Sequence, residues 1–169
     1  VLHQKQPLPS VFLHAHHLFL STSAMRQSYF RAMFNEEELA QANAWRKNTM
    51  VEGLGITFVP SAPGTFAATM PVDHRTKQAM GLLHGGATAL AETLGSVGSA
   101  LLIDRDKHAV VGVEINANHL KGARSGTVTA TGTVLHKGRT MHVWDIRVHN
   151  EEGALVAVCR LTNLVINKP

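Results

Sequence analysis

The chain has 169 residues, of which 44% are hydrophobic and 17% are charged, and its formal net charge is +4. This composition is typical of one globular domain and excludes a wholly disordered chain. No apolar run approaches the roughly 18 residues of a membrane-spanning helix, so no membrane role is predicted. The single cysteine, Cys159, cannot form an internal disulfide and favours a reducing, cytoplasmic location. The basic charge favours an anionic partner without identifying it.

Residues 1–33 differ from the rest of the chain and are predicted to form an N-terminal extension, with residues 34–169 as a single domain. His14, His16 and His17 stand in an apolar stretch of this extension. Because no cysteine or carboxylate cluster accompanies them, we expect no metal site.

The domain is predicted to open with a helix and a hairpin. Asn35 and Glu38 have the spacing of a capping box, which predicts a short amphipathic helix from about Asn35 to Lys47. Residues 55–59 and 65–72 are rich in β-branched and aromatic side chains and flank a Pro-Gly turn. This pattern predicts two antiparallel strands.

The stretch from Gly81 to Gly98 predicts a long apolar helix that begins at two glycines directly after His84. Glu92 stands inside this helix among small and apolar residues. A carboxylate is costly in such a place unless it is neutral, paired or open to a site. We therefore interpret Glu92 as a functional carboxylate for acid–base or nucleophilic chemistry, with a structural ion pair as the alternative.

The start of this helix offers a second functional group. The N–H groups of Gly85 and Gly86 are expected to be unpaired there and suit a carbonyl or a developing oxyanion. Eight residues separate His84 from Glu92, which is about 12 Å along a helix. Because one chain cannot bring both to one reacting group, we predict a symmetric dimer with two composite sites.

Four alternating segments follow the helix, at residues 110–120, 126–136, 141–149 and 154–166. Their short, glycine-containing connections predict an antiparallel meander. The order of the elements predicts an α+β fold, with one curved antiparallel sheet wrapped around the central helix.

Further polar residues surround the proposed chemistry. Ser96 lies one helical turn after Glu92, Thr93 is its neighbour, and Gln78 precedes the helix. Each suits a site role or a local hydrogen bond.

Basic residues gather at two strand ends: His119, Lys121 and Arg124 at one, and His136, Lys137 and Arg139 at the other. The two ends either converge on one phosphate-rich ligand or are solvated turns. Without interleaved aromatic residues, no nucleic-acid partner is predicted.

Two stretches resemble the hotdog-fold acyl-CoA thioesterases: ATMPVDHRTKQAMGLLHGGATALAETLGSVGS and VVGVEINANHLKGARSG. The resemblance is to the branch of the dihydroxynaphthoyl-CoA thioesterase of menaquinone biosynthesis and the enterobactin-pathway proofreading thioesterase. It covers about residues 51–166 and implies a hotdog fold and a dimer that usually pairs into a tetramer. It also implies hydrolysis of an acyl-CoA, expected to be aromatic, with no cofactor beyond the CoA of the substrate.

The resemblance also implies roles for individual residues. Glu92 corresponds to the catalytic carboxylate, as nucleophile or general base. Gln78 and the Gly85 N–H correspond to the groups that polarise the carbonyl, and His84 to the histidine that positions the thioester. Thr93 and Ser96 correspond to residues lining the acyl pocket. The nucleotide-binding positions correspond to Gly112, His119, Lys121, Gly122, His136, Gly138 and Arg139. The alternative functions are a non-catalytic acyl-CoA sensor and a hotdog-fold acyl dehydratase.

Overall fold

The computed structural model describes residues 35–169; the predicted extension, residues 1–33, with His14, His16 and His17, lies outside the described residues. The first elements are the helices α1 (Glu36–Ala44) and α2 (Met50–Gly53) and the strands β1 (Thr57–Val59) and β2 (Phe66–Pro71). A 3₁₀ turn (Gly85–Thr88) leads into the central helix α3 (Ala89–Leu101). Four strands follow: β3 (His108–His119), β4 (Thr127–Lys137), β5 (Met141–Asn150) and β6 (Leu155–Asn167).

The predictions from local sequence are confirmed. Asn35 Oδ1 accepts from the Glu38 N–H at 2.9 Å, and Glu38 Oε2 accepts from the Asn35 N–H at 3.0 Å, which completes the capping box. β1 and β2 pair as an antiparallel hairpin. The central helix begins at Gly85, as the two glycines indicate.

The six strands form one antiparallel sheet in the order β1-β2-β4-β5-β6-β3. The expected four-strand meander is therefore wrong in one connection. β4, β5 and β6 are sequential neighbours, but β3 pairs with β6 and not with β4. β3 thus lies at one edge of the sheet, three strands away from β4.

The loop after β3 explains this error, because it crosses the end of the sheet and does not turn back as a hairpin. The N–H groups of Leu120 and Lys121 donate to the Val156 carbonyl at the start of β6. Farther along, the carbonyl of Gly126 accepts from the N–H of Val72, at the end of β2. Three strand spacings amount to about 14 Å, which a loop of this length spans as easily as it forms a hairpin.

One face of α3 packs on the sheet. It carries the buried residues Leu90, Ala91, Leu94, Gly95, Gly98 and Ser99. Close approach requires glycine at Gly98, where a methyl group would lie 2.6 Å from Trp144 Cη2. On β4, a methyl group at Gly132 would lie 2.5 Å from Leu94 Cδ2. The helix therefore rests directly on the indole of Trp144, which is fully buried.

The opposite face of α3 is only half-buried within one chain; it carries Glu92, Thr93, Ser96, Val97 and Ala100. β3 beside it pairs on one side only among the described strands, and it exposes Val113 by 52%. The helix is thus less enclosed than its apolar sequence predicts. Within residues 35–169, no helix has the length and apolar character needed to cross a bilayer.

We expect Gly98→Ala to destabilise the domain, because the added methyl group must displace a large buried ring. Overpacking of this kind costs about 1–3 kcal/mol, against about 1 kcal/mol gained in helix propensity. A net loss of up to about 2 kcal/mol in the free energy of unfolding should appear in urea denaturation. Gly53→Ala is the control, because nothing lies within 4 Å of its added carbon; equal losses in both variants would contradict the packing argument.

A buried histidine makes the stability of the fold sensitive to pH. His142 lies on β5 and is 1% exposed. Burial lowers its pKa, the charges of Lys137 and His136 lower it further, and a hydrogen bond with the Gly138 backbone offsets part of this. The folded protein therefore keeps this imidazole neutral, whereas the unfolded chain takes up a proton below about pH 6.5.

Because the unfolded state binds the extra proton, stability should fall as the pH drops below about 6.5. His142→Gln removes the titrating group but keeps a side-chain N–H. We expect its free energy of unfolding to fall less between pH 7.5 and 5.5 than that of the parent chain. Parallel losses in the two proteins would show that other groups cause the acid sensitivity.

Candidate active site

Glu92 lies on the half-buried face of α3 and contacts both the helix and the edge strand. Ser96 Oγ donates to Glu92 Oε1 at 2.9 Å, so the expected link between the two residues is present. Gly112 on β3 lies against the same carboxylate, and a methyl group there would come within 2.4 Å of Glu92 Oε1. Glycine at this position therefore makes room for the carboxylate beside the strand. Thr93 is half-buried on the same face of the helix.

His84 caps the start of the helix. Its Nδ1 accepts from the Gly86 N–H at 2.8 Å, so the proton of the neutral imidazole is on Nε2, which remains available as a donor. The expectation that both glycine N–H groups are unpaired is therefore wrong for Gly86. The N–H of Gly85 has no acceptor among residues 35–169.

An open cleft of about 320 Å³ lies at this helix start. It brings together five of the predicted site residues: Gln78, Gly85, His119, Lys121 and Gly122. Its remaining walls are largely apolar and come from Leu82, Leu83, Leu120, Ala123 and Val156. The cleft thus combines hydrogen-bond donors, a positive charge and an apolar lining, as a ligand with a polar head and an apolar stem requires.

Two donors in the cleft suit a carbonyl oxygen. Gln78 Oε1 accepts from the Met80 N–H, which leaves the Gln78 amide N–H groups free to donate into the cleft. His119 Nε2 lies 3.5 Å from where a Cβ of Gly85 would stand, so the end of β3 closes on the helix start. The Gly85 N–H and the Gln78 amide therefore line one cleft as two groups that can donate a hydrogen bond.

The structure does not bring this cleft and Glu92 together within one chain. Glu92 lies beside Gly112 and the cleft beside His119, and these two residues are seven positions apart on β3. At about 3.3 Å per residue, the separation along the strand is roughly 20 Å. A single copy of the chain therefore cannot place the cleft and Glu92 against the same reacting group.

The two basic strand ends also lie apart. His136 lies at the end of β4, and the β4–β5 turn holds Gly138 and Arg139. The Thr140 carbonyl in this turn accepts from the Val165 N–H. Val165 pairs with Val110, near the start of β3, whereas Lys121 follows the end of that strand. The expected convergence of the two basic groups therefore does not occur within one chain. Gly112 likewise lies with Glu92 and not in the cleft.

Cys159 offers no competing chemistry. Its side chain is buried on β6, and burial raises the pKa of its thiol to about 11, with a smaller contribution from Asp145. The thiolate needed for nucleophilic attack is therefore scarce at neutral pH. Among residues 35–169, no three His, Cys, Asp or Glu side chains come together as metal ligands.

Sequence reasoning missed two buried polar residues near Glu92, Asn163 and Ser99. Asn163 lies on β6, in the inward-facing series Ala157, Cys159, Leu161 and Asn163. The sequence does carry a signal for Asn163, because this polar residue continues an alternating apolar series and is therefore expected to face inward.

Comparison with known proteins identifies the family to which the chain belongs. A model of the thioesterase superfamily matches residues 80–157. The proofreading thioesterase EntH of Klebsiella pneumoniae is 46% identical over 132 residues, which are 78% of this chain and 96% of the relative. The 1,4-dihydroxy-2-naphthoyl-CoA hydrolase of Escherichia coli is 45% identical over 129 residues, covering 76% of this chain and 94% of the relative.

The structural comparison gives the same result. The crystal structure of a mutant thioesterase from Pseudomonas aeruginosa superimposes with a TM-score of 0.75 and 48% sequence identity, covering 77% of this chain and 94% of that one. The predicted fold, a curved antiparallel sheet with a long helix, is thereby confirmed as the hotdog thioesterase fold. The chain belongs to the thioesterase superfamily and is a thioester hydrolase.

Proposed function

We propose that the chain hydrolyses an acyl-CoA thioester to the free acid and CoA, in sites that two copies of the chain build together. One observation supports this above the others: the molecule carries two complementary half-sites that it cannot use by itself. The cleft at Gly85 supplies donors for a carbonyl oxygen, and Glu92 supplies a carboxylate, but about 20 Å of β3 separates them.

The cleft is the carbonyl half of the proposed site. In hydrolysis, the thioester oxygen gains negative charge as the carbonyl carbon becomes tetrahedral, and fixed donors aimed at that oxygen lower the barrier. The Gly85 N–H and the Gln78 amide supply such donors. His84 precedes Gly85 in the chain, and its Nε2–H is a further donor. His84 then serves to position the thioester.

Glu92 is the acting group of the other half. Its carboxylate either attacks the thioester carbon directly or removes a proton from the attacking water, and the thiolate of CoA leaves. The hydrogen bond from Ser96 fixes one carboxylate oxygen, which leaves the other to face the substrate. Thr93 and Ser96 then line the space for the acyl group.

The edge strand provides a way to join the halves. If β3 of two copies paired antiparallel about a point between Ile115 and Asn116, Gly112 of one chain would stand opposite the partner's His119. That register would bring each Glu92 to the partner's cleft. It would also cover the exposed Val113 and the half-buried outer face of α3. An unpaired edge with apolar side chains favours such pairing.

The same pairing would bring the two groups of basic residues together around one ligand. His119, Lys121 and Gly122 line the cleft, where they suit the nucleotide end of CoA. The partner subunit's β4–β5 turn, with His136, Gly138 and Arg139, would come to the same end of the joined sheet. The convergence that fails within one chain would then occur across the dimer. Two such dimers pair into a tetramer in this proposal.

The preferred acyl group is proposed from the relatives. One is named as a 1,4-dihydroxy-2-naphthoyl-CoA hydrolase and another as a proofreading thioesterase. We therefore propose an aromatic acyl-CoA, of the dihydroxynaphthoyl or benzoyl type, with menaquinone biosynthesis as one setting. The cytoplasmic location stays a prediction from the sequence.

Glu92→Gln should abolish most hydrolysis of aroyl-CoA substrates, because the amide can neither accept the proton nor attack the carbon. We expect kcat to fall by roughly 10²–10⁴-fold with a small change in KM. Free CoA released from benzoyl-CoA is the measurement. Glu152→Gln, in the exposed β5–β6 turn, is the matched control and should keep the parent rate.

Near-parent hydrolysis by the Glu92 variant would refute the proposed role of the carboxylate. Hydration of an enoyl thioester by the parent chain, without hydrolysis, would instead indicate a dehydratase. Tight binding of acyl-CoA without turnover would indicate a sensor.

Composite sites can be tested by mixing two inactive chains. Glu92→Gln and Gln78→Ala damage different halves, so a heterodimer should contain one site with both changes and one intact site. Co-expressed chains that assemble at random should then recover about a quarter of the parent activity. If both residues acted within one chain, the mixture would stay as inactive as the separate variants.

A further inference from the structure

A chain of hydrogen bonds connects Glu92 to the core of the domain. Ser96 Oγ lies 2.9 Å from Glu92 Oε1 and 3.2 Å from Asn163 Oδ1. Asn163 Nδ2 donates to Ser99 Oγ at 3.0 Å, and Trp144 Nε1 donates to the same oxygen at 2.8 Å. Asn163 and Ser99 are both 0% exposed. The polar chain therefore extends from the half-buried carboxylate to the indole beneath the helix.

The backbone fixes the orientation of the Asn163 amide. Asn163 Nδ2 also donates to the Gly95 carbonyl at 3.2 Å, and a carbonyl oxygen can only accept. A flipped amide would set two oxygens against each other at this contact. Oδ1 must therefore face Ser96, where it too can only accept.

Ser96 consequently has two acceptors for one proton. While Glu92 is ionised, the hydroxyl donates to the carboxylate, because a hydrogen bond to a charged acceptor is the stronger of the two. When Glu92 carries a proton, its own O–H can donate to Ser96 Oγ. The Ser96 proton then needs another acceptor, and Asn163 Oδ1 stands 3.2 Å away.

We propose that Asn163 is a positioning residue for Glu92 that acts through Ser96. It holds the Ser96 hydroxyl beside the carboxylate. When Glu92 becomes protonated, Asn163 Oδ1 accepts a hydrogen bond from that hydroxyl. The inference rests on the proposed function, in which Glu92 carries out hydrolysis, and it concerns the proton that Glu92 takes from the attacking water. In this step the water O–H bond breaks and a Glu92 O–H bond forms, while the water oxygen bonds to the thioester carbon and the π electrons of its carbonyl move to the carbonyl oxygen. Ser96 breaks no covalent bond, since it only rotates its own proton from one acceptor to the other.

Asn163 is the polar member of an apolar face of β6. Cys159 and Leu161, which precede it on the inward-facing side, are buried and apolar. A buried amide contributes to stability only when its partners are all in place. Here three partners are in place, and one of them is bound to the carboxylate.

The test is a double-mutant cycle between Asn163→Leu and Ser96→Ala, followed by hydrolysis of benzoyl-CoA. We expect Asn163→Leu to lower kcat about tenfold, the loss that corresponds to one hydrogen bond between neutral groups. KM should stay unchanged, because Asn163 lies outside the cleft. In the Ser96→Ala background, the Asn163 substitution should cause no further loss.

Leu161→Val is the matched control, since Leu161 lies two residues earlier on the same strand face, packs against Gly95 and has no polar side-chain atom that could bind Ser96. We expect it to change kcat less than twofold in both backgrounds. Asn163→Val, which suits a β-strand, repeats the test if the leucine variant does not fold.

Two results would overturn the inference: parent-like kcat in a folded Asn163 variant, or the same tenfold loss with and without Ser96. Failure of the proposed function would look different, because Glu92→Gln would then remain active. An inactive Glu92→Gln together with fully active Asn163 variants would overturn this inference alone.

Discussion

The contact between the central helix and Trp144 is the constraint on which the rest of the structure depends. With glycine at position 98, the helix backbone comes down onto a buried indole, and a single methyl group would be 2.6 Å from the ring. Interiors packed this closely do not deform continuously. The height and rotation of α3 on the sheet are therefore fixed, and with them the direction in which Glu92 projects.

The same contact explains why polar groups are buried beneath Glu92. The Trp144 N–H needs an acceptor once the ring is enclosed, and Ser99 supplies it. Asn163 shares that oxygen and reaches the helix backbone at Gly95, so the indole, the strand and the helix are joined by one network. Because every member has its partners, this network adds rigidity and not the cost of an unpaired polar group. Ser96 connects that rigidity to Glu92.

The sequence predicted the features that depend on near neighbours. The Asn35 capping box, the first hairpin and the helix start at Gly85 all follow from residues a few positions apart. The position of β3 in the sheet was predicted wrongly. A short loop with glycines has the same sequence pattern whether it forms a hairpin or crosses the end of a sheet. Ser96 was found because one helical turn links it to Glu92, whereas Asn163 is 67 residues from Ser96. Only the register of β6 shows that it faces the helix.

A rigid helix that carries both a helix-start donor and a carboxylate cannot fold back to join them. Eight residues of helix and seven of β3 hold the two groups apart. A flexible loop between the two groups could bring them together, but it would also let the donors move. Donors lower the barrier only when their positions are fixed. In the proposed dimer, a second copy solves this problem at no cost in rigidity, since the edge of β3 that is free among the described strands offers hydrogen bonds and apolar side chains. In that proposal the exposed edge, which is a liability in a lone domain, is the element that completes the site.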